Sequence, residues 1–358
     1  MVQVTQPFLP PQEEYMQLLN GIWERKWLTN HGPLSNEFEE KIKKRFDHPN
    51  FNSVSNGTLA LQLAYKVLEL KGEVITTPFS YVATTSSLVW EGLTPVFADI
   101  DSKTLNIDPL SVESKITKRT TAIVATHVYG NPCDIHALEA IAKKYELKLI
   151  FDAAHAFGST YKGKSVFQYG DISTVSFHAT KLFHTIEGGG VFCKDNELNS
   201  KIYYAKNFGH HGEVEFKGVG INSKLSEFNA AMGLINLKYI DVISQKRLDD
   251  FRQYKNDLKG VNVKFQEIQG QGKSNLSYCP MLFESEASLL KVRSILEQNG
   301  YAARRYFYPT LNTLNYLKNE SCPIAEDISK RILCLPTFYG LSVEEITQVT
   351  TKIRETIG

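Results

Sequence analysis

Cysteine is scarce in this chain, and its placement excludes two common uses of the residue. The cysteines are odd in number and widely scattered. A disulfide framework needs paired cysteines, and a zinc site needs closely spaced ligands, so neither is expected. The five are Cys133, Cys193, Cys279, Cys322 and Cys334.

An excess of charge of one sign is also missing. The 40 lysines and arginines almost balance the 39 aspartates and glutamates, leaving a formal charge of +1. No basic stripe is present that would neutralise a phosphate backbone, so nucleic acid is excluded as a partner. The neighbouring His210 and His211 are interpreted as loop residues, and we predict no metal site.

Long hydrophobic runs and two sequence signatures are absent as well. No uninterrupted apolar stretch is long enough to span a bilayer, and the first residues lack the charged and apolar regions of a signal peptide. We therefore expect a cytoplasmic protein with no membrane partner. No Gly-x-Gly-x-x-Gly motif follows an early strand, which argues against a dinucleotide-dependent sugar oxidoreductase.

What the chain does have is enough length and apolar content for two domains in its 358 residues. Residues 1–240 are predicted to form an N-terminal arm and a large α/β/α domain. Its strands are expected to build a mostly parallel sheet covered by helices on both faces. The predicted strands are 73–76, 95–99, 122–128, 148–152, 174–177 and 190–193, and the predicted helices are 58–70 and 135–145.

Residues 241–358 are predicted to form a smaller α+β domain, because the pattern changes near residue 235. A long charged helix is expected at about 244–258. The remaining predictions are strands at 261–265, 278–283 and 302–308 and helices at 287–298 and 343–356.

Lys181 is the main catalytic candidate. It follows the apolar run 172–177, and three glycines follow it at 188–190. A lysine held just past a buried strand is partly desolvated, so its amine can lose a proton near neutral pH and form a Schiff base. A solvated surface lysine would fit the same position, so further residues must support the chemistry.

Several other positions that follow strands carry candidate ligand groups. Ser55-Asn-Gly-Thr58 precedes a helix, where free N–H groups could bind an anion, although an N-cap by Asn56 or Thr58 is an alternative. In that motif Gly57 is interpreted as permitting a tight turn. Asp152 ends a strand and could keep a pyridine nitrogen protonated, or could cap a helix.

Three further candidates have similarly open roles. Tyr81 could stack on a planar cofactor or belong to the core. Ser176 could donate to a phosphate or satisfy the backbone within its strand. His155 lies close enough to Asp152 to touch the same ligand, and alone it would be interpreted as a structural histidine.

The order of these motifs resembles that of the fold type I pyridoxal-phosphate (PLP) enzymes. In detail the chain resembles the DegT/DnrJ/EryC1/StrS family of nucleotide-sugar aminotransferases, almost from end to end. The matching segments are 27–33, Ser55-Asn-Gly-Thr58, Tyr81 to Thr84, 127–130, Asp152-Ala-Ala-His155, Ser176-Phe-His-Ala-Thr-Lys181, Glu187-Gly-Gly189, Gly220-Ile-Asn222 and Leu335-Pro-Thr.

The resemblance implies roles for the candidate residues. Lys181 would form the covalent link to PLP and shuttle the proton, Asp152 would meet the pyridine nitrogen, and Tyr81 would stack on the ring. His155, where the family often has glutamine, would face the phenolic oxygen. The phosphate would be bound by Gly57, Thr58 and Ser176, and by Asn222 from the neighbouring subunit of a homodimer with shared active sites.

The resemblance also suggests the substrates. The expected reaction moves an amino group from glutamate to a dTDP-keto-6-deoxy sugar. The segment from Lys181 to Gly189 is more like that of enzymes that aminate C-4, giving dTDP-4-amino-4,6-dideoxyglucose for a bacterial surface polysaccharide. Amination at C-3 and a non-catalytic regulator are the alternatives. Tyr308 is a candidate substrate contact, and Arg304 or Arg305 could bind a pyrophosphate or form a surface salt bridge.

Overall fold

A computed structural model of the chain describes residues 1–317 and 320–358. Its main feature is a seven-stranded sheet with the order β1-β9-β8-β5-β4-β2-β3. Adjacent strands from β3 through β8 pair in parallel, whereas β9 pairs antiparallel with β8 and β1. The mostly parallel sheet of the predicted fold class is confirmed. The strands are β1 (Phe51–Val54), β2 (Glu73–Thr76), β3 (Thr94–Phe97), β4 (Thr120–Thr126), β5 (Lys148–Asp152), β8 (Ile172–Ser176) and β9 (Gly189–Cys193).

Helices cover both faces of this sheet. Successive residues of a strand point to opposite sides, so an apolar strand presents apolar side chains on both faces. Ile75 and Phe151 pack into one buried cluster, while their neighbours Val74 and Ile150 pack into another on the opposite face. The helices of this part are α1 (Gln12–Arg25), α2 (Pro33–Phe46), α3 (Gly57–Val67), α4 (Val82–Trp90), α5 (Pro109–Ser114), α6 (Ile135–Lys144) and α7 (Asn196–Ala205).

Helix α8 (Glu227–Asp257) connects this layered part to the C-terminal part. It begins well before the predicted start near residue 244, and residue 240, the predicted domain boundary, falls within it. The early half was missed because it is apolar and buried, so it lacks the charged face of an amphipathic helix. Gly233 lies so close to Phe38 of α2 that a Cβ would come within 2.7 Å of the phenylalanine ring.

The C-terminal part has a three-stranded sheet in the order β12-β14-β15 with its own buried core. The predicted strand at 302–308 is wrong: only Arg304 bridges to Cys334, and Phe307 turns the backbone away with a φ of 67°. β14 pairs with β12 on one side and on the other with β15, which was not predicted. The elements are β12 (Val263–Phe265), β14 (Cys279–Phe283), α9 (Glu286–Gln298), α10 (Pro323–Arg331), β15 (Ile332–Leu335) and α11 (Val343–Ile357).

Short two-residue strands complete the described elements. One small sheet has the order β13-β6-β7, and the other is the hairpin β10-β11. His210 and His211, which were predicted to lie in a loop, form the strand β10. Within the described residues, no helix is both long enough and apolar enough to cross a bilayer. The strands are β6 (Thr160–Tyr161), β7 (Lys164–Ser165), β10 (His210–His211), β11 (Glu215–Phe216) and β13 (Gly272–Lys273).

A buried ion pair ties the N-terminal helices to the large sheet. Lys206, which follows α7, donates to Glu39 of α2 over 2.8 Å, and Ser53 of β1 donates to the same carboxylate from its backbone N–H and its hydroxyl. Burial raises the pKa of Glu39, but Lys206 and Ser53 outweigh it and hold that pKa below its usual value. The carboxylate therefore stays charged inside the protein.

We predict that Lys206→Met destabilises the protein by about 3–5 kcal/mol, because it leaves the Glu39 charge buried without its cation. The control is Lys201→Met, which removes an exposed pair with Glu197 on the same helix and should cost less than about 1 kcal/mol. Urea unfolding followed by circular dichroism measures both. If the two variants lost equal free energy of unfolding, the buried pair would not have the importance assigned to it.

Candidate active site

The strand ends of the large sheet open into one cavity of about 450 Å³. In parallel sheets the carboxyl ends of the strands share one edge, which is where ligands bind. The predicted cofactor-binding residues lie together in its wall, with the exception of Asn222. Those that line it are Gly57, Thr58, Tyr81, Asp152, His155, Ser176 and Lys181.

Lys181 sits in a tight turn that follows β8. Its backbone N–H donates to the carbonyl of His178 over 2.9 Å. Burial lowers the pKa of Lys181 to about 8, although Asp152 and Tyr81 act in the opposite direction. Compared with an ordinary lysine, this shift increases the neutral amine near pH 7 by about 300-fold. The amine is thus prepared for nucleophilic attack on an aldehyde.

Asp152 ends β5 and is almost fully buried. Its Oδ2 accepts from the hydroxyl of Thr84 over 2.7 Å, and its Oδ1 accepts from the backbone N–H of Ala154 over 3.1 Å. Burial raises the pKa of Asp152, while these two hydrogen bonds and the Lys181 charge act against the rise. The carboxylate is therefore fixed in orientation, and a cationic partner in the cavity would stabilise its charged form.

Thr84 was not assigned a role from the sequence, yet it orients Asp152. Its hydroxyl is 2.8 Å from that of Ser80, which is 3.1 Å from that of Thr126 at the end of β4. Thr84 follows Tyr81 by one turn at the start of α4, and this spacing places both on the same side of a helix. That spacing is the signal by which the sequence could have revealed Thr84.

The start of α3 lies in the cavity wall. Asn56 is the N-cap, and its side chain accepts from the N–H of Leu59 over 2.8 Å. The N–H groups of Gly57 and Thr58, at the first two helical positions, have no partner within the helix. The φ of Gly57 is not positive, so its backbone conformation does not by itself call for glycine. Glycine is required because a Cβ would lie 2.9 Å from the Cβ of Ser176.

Tyr81 and His155 occupy the cavity wall in different ways. Tyr81 is 56% exposed, so its ring is not part of the core. His155 is buried, and its Nδ1 has no hydrogen-bond partner. Burial, followed by the charge of Lys181, lowers the pKa of His155 well below its usual value, so the ring is neutral.

Asn222 lies outside this cavity, in a separate depression with Asn207 and Lys224. Its Oδ1 accepts from the Lys224 ammonium over 2.7 Å. Around it, apolar side chains face solvent on the segment 203–221. They are Tyr203, Phe208, Val214, Phe216, Val219 and Ile221.

Tyr308 was predicted to contact the substrate, but other residues of the segment 304–308 line the cavity. Arg304 lines the cavity together with Tyr306 and Phe307, whereas Tyr308 is half exposed and is not among the lining residues. Arg305 forms a salt bridge with Glu286 over 2.7 Å and covers the ring of Tyr308. The two arginines are thus distinguished: Arg305 is structural, and Arg304 faces the cavity with no carboxylate within 4 Å among the described residues.

The described residues contain no cluster of three or more His, Cys, Asp or Glu side chains arranged to hold a metal ion. His211 instead contacts Glu215 across the hairpin, 2.7 Å from Nδ1 to Oε2.

Comparison with known proteins identifies the type of site. The model of the DegT/DnrJ/EryC1/StrS aminotransferase family matches residues 11–354. The chain belongs to this family. As a member of it, the chain is an aminotransferase, and aminotransferases of this family depend on PLP.

The similar proteins include two named dTDP-4-amino-4,6-dideoxy-D-glucose transaminase. The one from Shigella dysenteriae is 44% identical, with 98% of each chain covered. The one from Escherichia coli is 37% identical, with 98% of this chain and 97% of the relative covered. Among solved structures, DesI in the presence of its TDP-sugar product is similar at a TM-score of 0.94, with 32% identity over 99% of this aminotransferase and 92% of DesI.

The residues of the cavity fit PLP. The free N–H groups at the start of α3 suit a phosphate, the buried carboxylate of Asp152 suits a protonated ring nitrogen, and the unpartnered ring of His155 suits a polar atom of a ligand. Lys181 has the lowered pKa that an aldehyde-binding amine needs.

We predict that Lys181 titrates apart from the surface lysines, with a midpoint of about pH 8. Since only neutral amines react, competitive labelling with a trace of acetic anhydride, followed by mass spectrometry of the cofactor-free protein, gives the midpoint for each lysine. Lys201 is the internal control, because its hydrogen bond to Glu197 raises its pKa. If Lys181 and Lys201 were labelled in parallel as the pH rises, the desolvation of Lys181 would be refuted.

Proposed function

We propose that this aminotransferase uses PLP to move an amino group from glutamate to dTDP-4-keto-6-deoxyglucose, which yields dTDP-4-amino-4,6-dideoxyglucose. The observation that carries the proposal is a cavity with a reactive lysine and a buried aspartate in a chain 44% identical to a transaminase of that name. A bacterial surface polysaccharide is the proposed destination of the amino sugar, and the cytoplasm is the proposed location.

The proposed cofactor supplies an aldehyde carbon that takes up the amino group and a ring that withdraws electrons from the reacting carbon. Asp152 would hold a proton on the ring nitrogen, since a buried carboxylate is stabilised by a cationic partner. Thr84 and the N–H of Ala154 keep that carboxylate aimed. The N–H groups at the start of α3 and the hydroxyl of Ser176 would hold the phosphate.

Lys181 would have two tasks. Its neutral amine would hold the cofactor through the aldehyde carbon, and with the amino donor bound in its place its Nζ would accept a proton from the donor's α-carbon. A pKa of about 8 serves both tasks, because the amine gains and loses a proton readily near neutral pH. When the keto sugar is bound, the same Nζ would donate a proton to the sugar carbon that receives the amino group.

Anionic substrates fit the exposed side of the cavity. Arg304 is anchored by backbone hydrogen bonds in both directions with Cys334, and its guanidinium lies over the ring of Tyr306 at 4.7 Å. A guanidinium with no carboxylate partner is suited to the oxygens of a diphosphate or a carboxylate. Both proposed substrates carry such groups.

The homodimer with shared active sites remains part of the proposal. Asn222 lies in its own depression, and apolar side chains surround it on the surface. Such a patch is suited to burial against another protein. A second copy of this chain is the proposed occupant, which would bring Asn222 to the phosphate in the neighbouring cavity.

We predict that the purified protein, given PLP and glutamate, converts dTDP-4-keto-6-deoxyglucose to the C-4 amine. NMR of the product identifies the aminated carbon, and the 3-keto isomer is tested in parallel. Lys181→Ala is the control and should fold normally while losing at least about 100-fold in rate. A C-3 amine as the main product would replace the proposed substrate, and no amine from either sugar would point to the regulatory alternative.

A mixing experiment tests the shared site. We predict that Lys181→Ala and Asn222→Ala are each inactive alone but regain activity when mixed subunits are refolded together. A mixed dimer would contain one cavity with both residues intact, so a statistical mixture should reach about one quarter of the wild-type rate. Continued inactivity, with dimers verified by ultracentrifugation, would rule against Asn222 acting across the interface.

A further inference from the structure

Three rings from separate parts of the chain are stacked at the wall of the cavity. His155 lies nearly parallel to Phe307, with centroids 5.6 Å apart and 18° between the planes. Phe307 in turn lies nearly parallel to Tyr129, at 5.1 Å and 14°. All three are buried, and His155 and Phe307 line the cavity. Because a face of the imidazole is covered, its freedom to rotate is limited.

The backbone at two of these rings is in an unfavourable conformation. Tyr129 has a φ of 58° and Phe307 a φ of 67°, in the left-handed region that bulky residues rarely adopt. Such conformations persist only where surrounding contacts fix them, and they concentrate at functional sites. Phe79 supplies one of these contacts, with its ring edge-on to Phe307 at 5.3 Å. The stack is therefore a constrained feature of the fold.

His155 is fixed from other directions too. Its carbonyl accepts from Asn275 Nδ2 over 2.8 Å and from Ser277 Oγ over 2.9 Å. The ring of Tyr278 meets the imidazole at a steep angle, 5.0 Å between centroids. By contrast, no group in the described part of the chain hydrogen-bonds either imidazole nitrogen. A ring held firmly while its nitrogens are unpartnered is arranged to meet a ligand.

The charge state of His155 limits what it can do for that ligand. Burial and the charge of Lys181 keep the pKa of His155 well below its usual value. A neutral imidazole has one N–H donor and one acceptor nitrogen. It can donate to a negatively charged oxygen without introducing a positive charge beside Lys181.

We propose that Phe307 is a positioning residue that sets the plane of His155, so that the imidazole N–H donates to the phenolic oxygen of bound PLP. The inference rests on the proposed function, because it requires that cofactor. A donor at this oxygen stabilises its negative charge and thereby favours the unprotonated form of the bound cofactor. The stack should thus lower the pH at which the cofactor's absorption changes.

The test compares Phe307→Leu, which removes the planar ring, with Phe307→Tyr, which keeps it. Both are loaded with PLP and their absorption spectra are followed against pH. The midpoint should rise in Phe307→Leu toward the value in His155→Ala, by up to about two pH units, the largest shift expected from losing one hydrogen bond to a charged group. Phe307→Tyr should keep the wild-type midpoint.

A double variant separates positioning from a merely structural effect. If Phe307 acts through His155, then Phe307→Leu should cause no further rise in a His155→Ala background. An unchanged midpoint in Phe307→Leu would overturn the proposal, as would an equal rise with and without His155. Should Phe307→Leu fail to fold by circular dichroism, Phe307→Met keeps a similar volume without the ring and takes its place.

A measurement on the cofactor-free protein keeps this inference distinct from the proposed function. With ¹⁵N-labelled histidine, NMR should find the imidazole of His155 neutral and in one tautomer from mildly acidic to alkaline pH, and Phe307→Leu should change those signals. Signals unaltered in Phe307→Leu would sink the positioning role. If the wild-type protein bound no PLP, the proposed function would fail, and so would the proposed hydrogen bond to the phenolic oxygen of PLP. The NMR result would still show whether Phe307 positions His155.

Discussion

The desolvation of Asp152 and Lys181 at one edge of a mostly parallel sheet is the constraint on which the site depends. Burial disfavours charge on both side chains, raising the pKa of the carboxyl group and lowering that of the amine, while each charge stabilises the other. Asp152 is held by Thr84, and the backbone of Lys181 is held in a turn by its hydrogen bond to His178. The sheet thus places a carboxylate and an amine in the wall of one cavity, and the surrounding residues determine what binds there.

Asp152 and Lys181 were predicted from local order in the sequence, and the structure brings both to one cavity. The bounds of β5 and the positions of Asp152 and Lys181 follow from short apolar runs interrupted by polar residues, and parallel strands place such ends together. Gly57 was predicted because a glycine permits a tight turn, and the structure adds a close approach to another strand. Its importance comes from contact with Ser176, a residue distant in sequence, and no local pattern reveals such a contact.

The parts that could not be predicted come from contacts between distant segments. Phe307 and Tyr278 reach the cavity from the C-terminal half, and their spacing follows no strand or helix period. The early half of α8 is buried and therefore shows no polar face, which is the signal that marks a surface helix. The missed strand β15 begins directly after α10, at Ile332, so no turn residues separate the two elements in the sequence. Burial from several sides removes the periodicity on which sequence prediction relies.

The position of His155 shows why its neighbours matter as much as its identity. An amide such as that of glutamine donates a hydrogen bond at any pH, whereas an imidazole donates one without charge only if it is kept neutral. Burial supplies that neutrality, and the ring of Phe307 supplies an orientation that an amide would obtain from hydrogen bonds. A histidine placed here without the aromatic stack would be free to turn. Residues 129, 155 and 307 therefore work as one unit, and exchanging His155 alone would not reproduce a glutamine site.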